Sequence, residues 1–131
     1  MTSVLGIGID LVDVSTAQRL LDRWGDRVLR RVLTEAEQAY VLRFPRPAQH
    51  LAARLAAKEA VYKALQTLPG ARAIGWREIE VERDGEGRPS IRLHGEALEL
   101  TRRAGKGALR ISLSLSHTET TAGAVALAEA E

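Results

Sequence analysis

The sequence predicts an α+β fold in which an antiparallel sheet packs on one long buried helix. Residues 48–68 are apolar around most of a helical circumference, while five shorter stretches have the composition or the period-two alternation of strands. A Gly- and Pro-bearing hairpin turn joins two of those strands. No repeat, linker or low-complexity run interrupts the pattern, so one domain over residues 1–131 is expected.

Taken in order, Val4–Ile9 reads as a strand leading to Asp10. Ser15 or Thr16 can cap a helix running to about Trp24, closed by Gly25. A short helix near Arg27–Leu33 precedes Thr34-Glu35-Ala36-Glu37, which has the spacing of a capping box and opens a helix to about Arg43. Phe44-Pro45-Arg46-Pro47 breaks it, and the long helix begins near Ala48. That helix runs to about Leu68, where Pro69-Gly70 stops it. Glu78–Arg83 and Ser90–Leu93 flank the turn Asp84-Gly85-Glu86-Gly87-Arg88-Pro89. Gly95–Arg103 reads as a short helix. Leu109–Ser116 alternates leucine or isoleucine with Arg110, Ser112, Ser114 and Ser116, and Thr121–Ala128 returns as its partner strand.

Composition narrows the class. The chain is 45% hydrophobic and 27% charged but only 4% aromatic, so leucine, isoleucine, valine and alanine must fill its core. No apolar run nears the roughly 20 residues of a membrane helix, and VLGIGI is too short for a signal peptide's apolar region. Cysteine is absent, which removes disulfides and thiol nucleophiles, and a cytoplasmic location is expected. The net charge of +2 is unevenly spread: eight arginines and four acids stand between Arg19 and Arg54. That basic third suits nucleic acid, a phosphorylated ligand or an acidic protein, or simply a solvated helix face.

The long helix poses a sharper question. Leu51, Leu55, Tyr62 and Leu65 form one stripe, and the opposite side is Ala53, Ala57, Ala60 and Ala64. Arg54, Lys58, Glu59 and Lys63 are the only charges from Leu51 to Leu65. A helix apolar on most sides is normally buried, and buried charges are costly unless paired or bound. Glu59 and Lys63 are therefore expected to be buried and functional, because an i,i+4 pair alone would desolvate both for little return. Of nineteen Lys and Arg residues only Lys58, Lys63 and Lys106 are lysine, and two of these flank Glu59. A compact ammonium, chosen where arginine is the habit, marks a candidate site.

Period two places Gly6, Gly8 and Asp10 on one face of the first strand. Two glycines there imply close approach of another backbone or a ligand, and Asp10 either caps the next helix or serves a site. Gly6-Ile7-Gly8 lacks the third glycine of a dinucleotide fingerprint. His117 ends the serine-rich strand, and His50 and His94 show no metal-ligand spacing, so zinc is not expected. No G-x-S-x-G is present. Asp10 with Glu59, beside a lysine, suits a hard divalent cation shared with phosphate oxygens, and Lys63 could offset charge on a phosphate leaving group.

Gly6-Ile7-Gly8-Ile9-Asp10, Ala53-Arg54-Leu55-Ala56-Ala57-Lys58-Glu59-Ala60-Val61-Tyr62-Lys63-Ala64 and Ser114-Leu115-Ser116-His117-Thr118 resemble the three signatures of the holo-(acyl-carrier-protein) synthase family. Residues 33–37 and 87–89 resemble family segments too, so the likeness covers essentially the whole chain. It implies a short bacterial 4′-phosphopantetheinyl transferase fold that moves 4′-phosphopantetheine from coenzyme A to a serine of the apo carrier protein, releases 3′,5′-ADP, and serves lipid and fatty acid biosynthesis. By this resemblance Asp10 and Glu59 hold Mg²⁺ and Glu59 helps to deprotonate the serine. Lys63 serves the leaving phosphate, His117, Thr118, Arg54 and Arg46 bind nucleotide phosphates, and Pro89 lines the adenosine site. It also implies a homotrimer with sites between subunits and an acidic carrier protein as partner, with no role for nucleic acid or a membrane.

The chain departs from the family at Gln66-Thr67-Leu68-Pro69-Gly70, where glycine usually contacts the coenzyme, at Thr16, where a basic residue is usual, and at Leu55 in place of phenylalanine. Two alternatives compete with the transferase. A nucleic-acid-binding module leaves Asp10, Glu59 and Lys63 unexplained and lacks interleaved aromatics. A magnesium-dependent pyrophosphate hydrolase shares both carboxylates.

Overall fold

Alanine sets the architecture. Ala122, Ala124, Ala126, Ala128 and Ala130 occupy alternate positions of strand β5 (Thr121–Ala130), and all are buried on one face. Helix α4 (Pro47–Ala64) lies across that face with Ala56, Ala57, Ala60 and Ala64. Small side chains on both surfaces let helix and sheet approach closely. The computed structural model describes residues 2–104 and 109–130.

The remaining elements are β1 (Ser3–Asp13), α1 (Val14–Trp24), α2 (Asp26–Val32), α3 (Glu35–Leu42), β2 (Ile79–Arg83), β3 (Pro89–Leu93), α5 (Gly95–Ala104) and β4 (Leu109–His117). Strands β1, β5 and β4 pair antiparallel in that order, and β2 and β3 form a separate hairpin. The single antiparallel sheet expected from the sequence is thus two sheets, both antiparallel. The C-terminal half of α4 packs on the three-stranded sheet, and Leu51, Ala52 and Leu55 of its N-terminal half pack with α1–α3.

Several element boundaries shift. Strand β1 runs three residues past Asp10, so Asp10 caps nothing; Asp13 occupies the N-cap of α1 without a side-chain hydrogen bond, and neither Ser15 nor Thr16 does so. The capping box at Thr34 and Glu37 forms as expected. Helix α4 ends at Ala64, four residues short of expectation. Gln66 ends it earlier, donating from Nε2 to Tyr62 O at 2.9 Å and to Ala71 O at 3.2 Å.

One face of the three-stranded sheet has no cover within the chain. Ile7, Ile9 and Leu11 point outward from β1 and are 67%, 62% and 70% exposed, with Val125 beside Ile9. Ser112, Ser114 and Ser116 continue that face on β4.

Candidate active site

The glycine face of β1 lies directly on α4. A Cβ at Gly8 would collide with the carbonyl oxygen of Ala60, and one at Gly6 with that of Ala64. The approaching backbone is therefore the chain's own helix. Asp10 follows on the same face of β1, and Lys63 donates from Nζ to Asp10 Oδ1 at 3.2 Å and to Ile9 O at 3.0 Å. Helical side chains lean toward the N-terminus, so Lys63 reaches back along α4 to the strand. Glu59 stands one turn before it, half-buried, with no hydrogen bond or ion pair among the described residues.

The expectation that Glu59 and Lys63 are buried is overturned, since the Lys63 side chain is 48% exposed. The deeply buried charges of α4 are Arg54 and Lys58, at 2% and 1% exposure. Lys58 donates to Glu37 Oε1 at 2.7 Å, to Trp76 O at 2.8 Å and to Ile79 O. Its three rotatable protons are all used, which a planar guanidinium could not reproduce, so lysine at position 58 has a structural reason. Burial pulls the Lys58 ammonium below its usual value while Glu37 opposes that shift.

Two carboxylates on touching elements, one of them unpartnered, fit the donor set of a magnesium ion, which takes one or two protein carboxylates and completes its shell with water and phosphate. No cluster of three or more His, Cys, Asp or Glu residues forms a fuller cage among the described residues.

A second group of side chains surrounds the N-terminal half of α4. The Arg54 guanidinium lies 4.2 Å over the Tyr40 ring, and its buried Nε and Nη1 have no partner among the described residues. Burial pulls Arg54 down, with Glu37 the leading opposing charge, yet a guanidinium stays protonated. His117 ends β4 opposite Ala122, and Thr118 Oγ1 accepts from Thr121 N at 3.1 Å in the turn that follows. Pro89 opens β3 opposite Arg83. Arg46 sits exposed at the N-cap of α4, and its side chain makes no polar contact among the described residues. Arg54 and His117 both act on His50, which places them around one residue that no sequence motif marked. No hydrogen bond or ion pair among the described residues joins this group to Asp10 and Lys63.

A sequence profile of the 4′-phosphopantetheinyl transferase superfamily matches residues 6–121. The chain belongs to that superfamily. It is 46% identical over 126 residues to the holo-[acyl-carrier-protein] synthase of Moorella thermoacetica, covering 96% of this chain and 94% of that protein. The Herpetosiphon aurantiacus enzyme of the same name is 47% identical over 121 residues, with 88% and 91% covered. Among solved structures, the holo-[acyl-carrier-protein] synthase of Neisseria meningitidis superposes with a TM-score of 0.81 at 34% identity, covering 96% of this chain and 98% of that one. The Bacillus anthracis synthase, in complex with CoA (3′,5′-ADP), gives 0.77 at 29% identity with 98% of each covered.

Two features of this phosphopantetheinyl transferase carried no sequence signal. A cavity of about 270 Å³ opens beside Glu59, walled by Lys58, Tyr62, Ile74, Gly75, Trp76 and Ile79. Its lining comes from a helix, from the 3₁₀ turn Trp76–Glu78 with its preceding loop, and from the start of β2, which no periodicity connects. The departing stretch after Lys63 is anchored by Gln66 and by Thr67 Oγ1, which donates to Leu5 O at 3.0 Å. Side-chain bonds there fasten the end of α4 to β1.

Proposed function

We propose that this transferase is a magnesium-dependent holo-(acyl-carrier-protein) synthase, in which residues 1–131 act as one domain. It moves 4′-phosphopantetheine from coenzyme A to a serine hydroxyl of an apo acyl carrier protein and releases 3′,5′-ADP. The observation that carries this reading is the Lys63–Asp10 contact, with Glu59 one turn away and without a polar partner among the described residues, where the glycine-faced strand meets this helix.

Asp10 and Glu59 are the residues that would hold the ion, which when bound neutralises the pyrophosphate. Glu59 takes the proton from the incoming serine, whose oxygen then bonds to the β-phosphorus as the bond to 3′,5′-ADP breaks. Lys63 meets the charge that develops on the departing phosphate. Arg54, His117, Thr118 and Arg46 bind nucleotide phosphates, and Pro89 lines the adenosine side. The apolar walls of the cavity beside Glu59 suit the uncharged pantetheine arm.

Arg23 and Arg27 flank the half-exposed Trp24 at 5.0 and 5.4 Å, a basic and aromatic surface matched to an acidic carrier protein. The uncovered face of Ile7, Ile9 and Leu11 supports self-association, and a homotrimer would bring the two residue groups of neighbouring subunits to one site. No helix of the described residues is long and apolar enough to cross a membrane, in keeping with a cytoplasmic role in fatty acid synthesis.

The deciding experiment incubates the protein with coenzyme A, Mg²⁺ and an apo carrier protein and measures the carrier's mass. A gain of one phosphopantetheine that EDTA or Glu59→Gln abolishes supports the synthase. Coenzyme A breakdown that proceeds equally without carrier would instead identify a hydrolase.

A further inference from the structure

His50 and Arg54 lie four residues apart on α4, so they share a face, and three aromatic rings meet there. Phe44 stacks on the His50 imidazole with centroids 3.7 Å apart and planes 18° apart, and Tyr40 meets His50 edge-on at 5.9 Å. Four arginines and a histidine surround the group. Arg54 and Arg83 lie over Tyr40 at 4.2 and 5.7 Å, Arg43 is 5.7 Å from Tyr40 and 6.0 Å from Phe44, Arg46 sits at the helix start, and His117 approaches from β4.

None of Arg43, Arg54 and Arg83 makes an ion pair among the described residues, although Arg83 donates to Gly87 O. The carboxylate facing Arg54 is Glu37, and it is already engaged by Lys58, Thr34 N and Val81 N. A convergence of cations with no free acid to balance them among the described residues, one of them buried with two unpartnered nitrogens, is built for an anion.

We infer that His50 is a further binding residue of this anion site, resting on the coenzyme reading above, and that it binds the phosphorylated end of the nucleotide as an imidazolium. In the ligand-free protein burial, then Arg54, Arg83 and His117 push His50 down, so it is neutral at physiological pH. A phosphate dianion between the arginines offsets their charge and offers the ring an anionic partner. The imidazolium then gains the phosphate and keeps its place on the Phe44 face. Loading therefore takes up a proton, and the site binds more tightly as pH falls through the titration of His50.

With only three histidines, their ring-proton NMR signals can be titrated in the free protein and in the protein saturated with adenosine 3′,5′-bisphosphate, the His50 signal being the one lost in His50→Gln. His50 should titrate about one unit or more higher when loaded. The ratio of wild-type to His50→Phe affinity should rise about three- to sixfold between pH 8 and pH 6, since ionisation of the ligand's own phosphate is common to both proteins. If the bisphosphate binds, as shown by a shifted His117 signal, and His50 titrates no higher, the inference is wrong and the coenzyme reading stands. If no signal moves and no binding heat appears, the coenzyme reading fails and takes this inference with it.

Discussion

Lys58 Nζ and Glu37 Oε1 meet at 2.7 Å with neither side chain reaching solvent. Glu37 closes the capping box of α3 through Thr34 N and accepts from Val81 N, while Lys58 also holds the carbonyls of Trp76 and Ile79. One ion pair thus ties α3, α4 and β2 together, immediately beside Glu59. Breaking a buried pair leaves an uncompensated charge, so Lys58→Met should destabilise the protein by about 3–5 kcal/mol. Adding Glu37→Gln to Lys58→Met should recover part of that loss, because the stranded carboxylate is gone. Urea unfolding at fixed protein concentration measures both, and a strictly additive double variant would contradict the account.

Lys63 is half-exposed and its polar contacts among the described residues are with Ile9 O and Asp10, so its removal should spare the fold. Lys63→Ala should lower kcat by about 10²–10³ while changing the dissociation constant for coenzyme A only a few-fold. Single-turnover kinetics and calorimetry separate the two quantities. Equal losses in both would make Lys63 a binding residue rather than one that serves the leaving group.

The outward face of β1 can be tested by charge. Ile9→Arg places a cation in the centre of the apolar face of Ile7, Leu11 and Val125 without touching α4. Light scattering should find a smaller particle than the wild type, with turnover lost alongside assembly. A monomeric, active wild-type protein would remove the need for a partner subunit.

Glu80 supplies a pH dependence of defined sign. Burial alone would raise its pKa, but hydrogen bonds from Thr34 Oγ1 at 2.6 Å and from His94 Nε2 at 2.8 Å, with the charges of His94 and Arg92, hold it below the ordinary 4.5. As pH falls the unfolded chain binds its proton first, so the stabilisation is complete above about 4.5 and disappears as pH drops through the folded value. The stability deficit of Glu80→Gln at pH 7 should therefore shrink toward pH 3 in acid-unfolding curves. A deficit constant across that range would show that Glu80 contributes shape rather than charge.

The short-range features were legible in the sequence because neighbouring residues enforce them. The Thr34–Glu37 capping box, the hairpin around Asp84–Arg88 and the alternation of β4 and β5 each follow from local spacing, and the glycines of β1 correctly implied a close backbone. Strand alternation and the sparse charges of α4 singled out Asp10, Glu59 and Lys63, motif likeness gave them roles, and Lys63 does reach Asp10. Which charges of α4 are buried was a different matter. Periodicity gives each residue's direction around the helix but not which neighbour waits there. Only the packing of α3 and β2 on one side, and an open edge on the other, decided that Lys58 sinks while Lys63 stays in water. The aromatic and arginine cluster around His50 draws on α3, α4, β2 and β4, segments far apart in the chain, and no local pattern could have joined them.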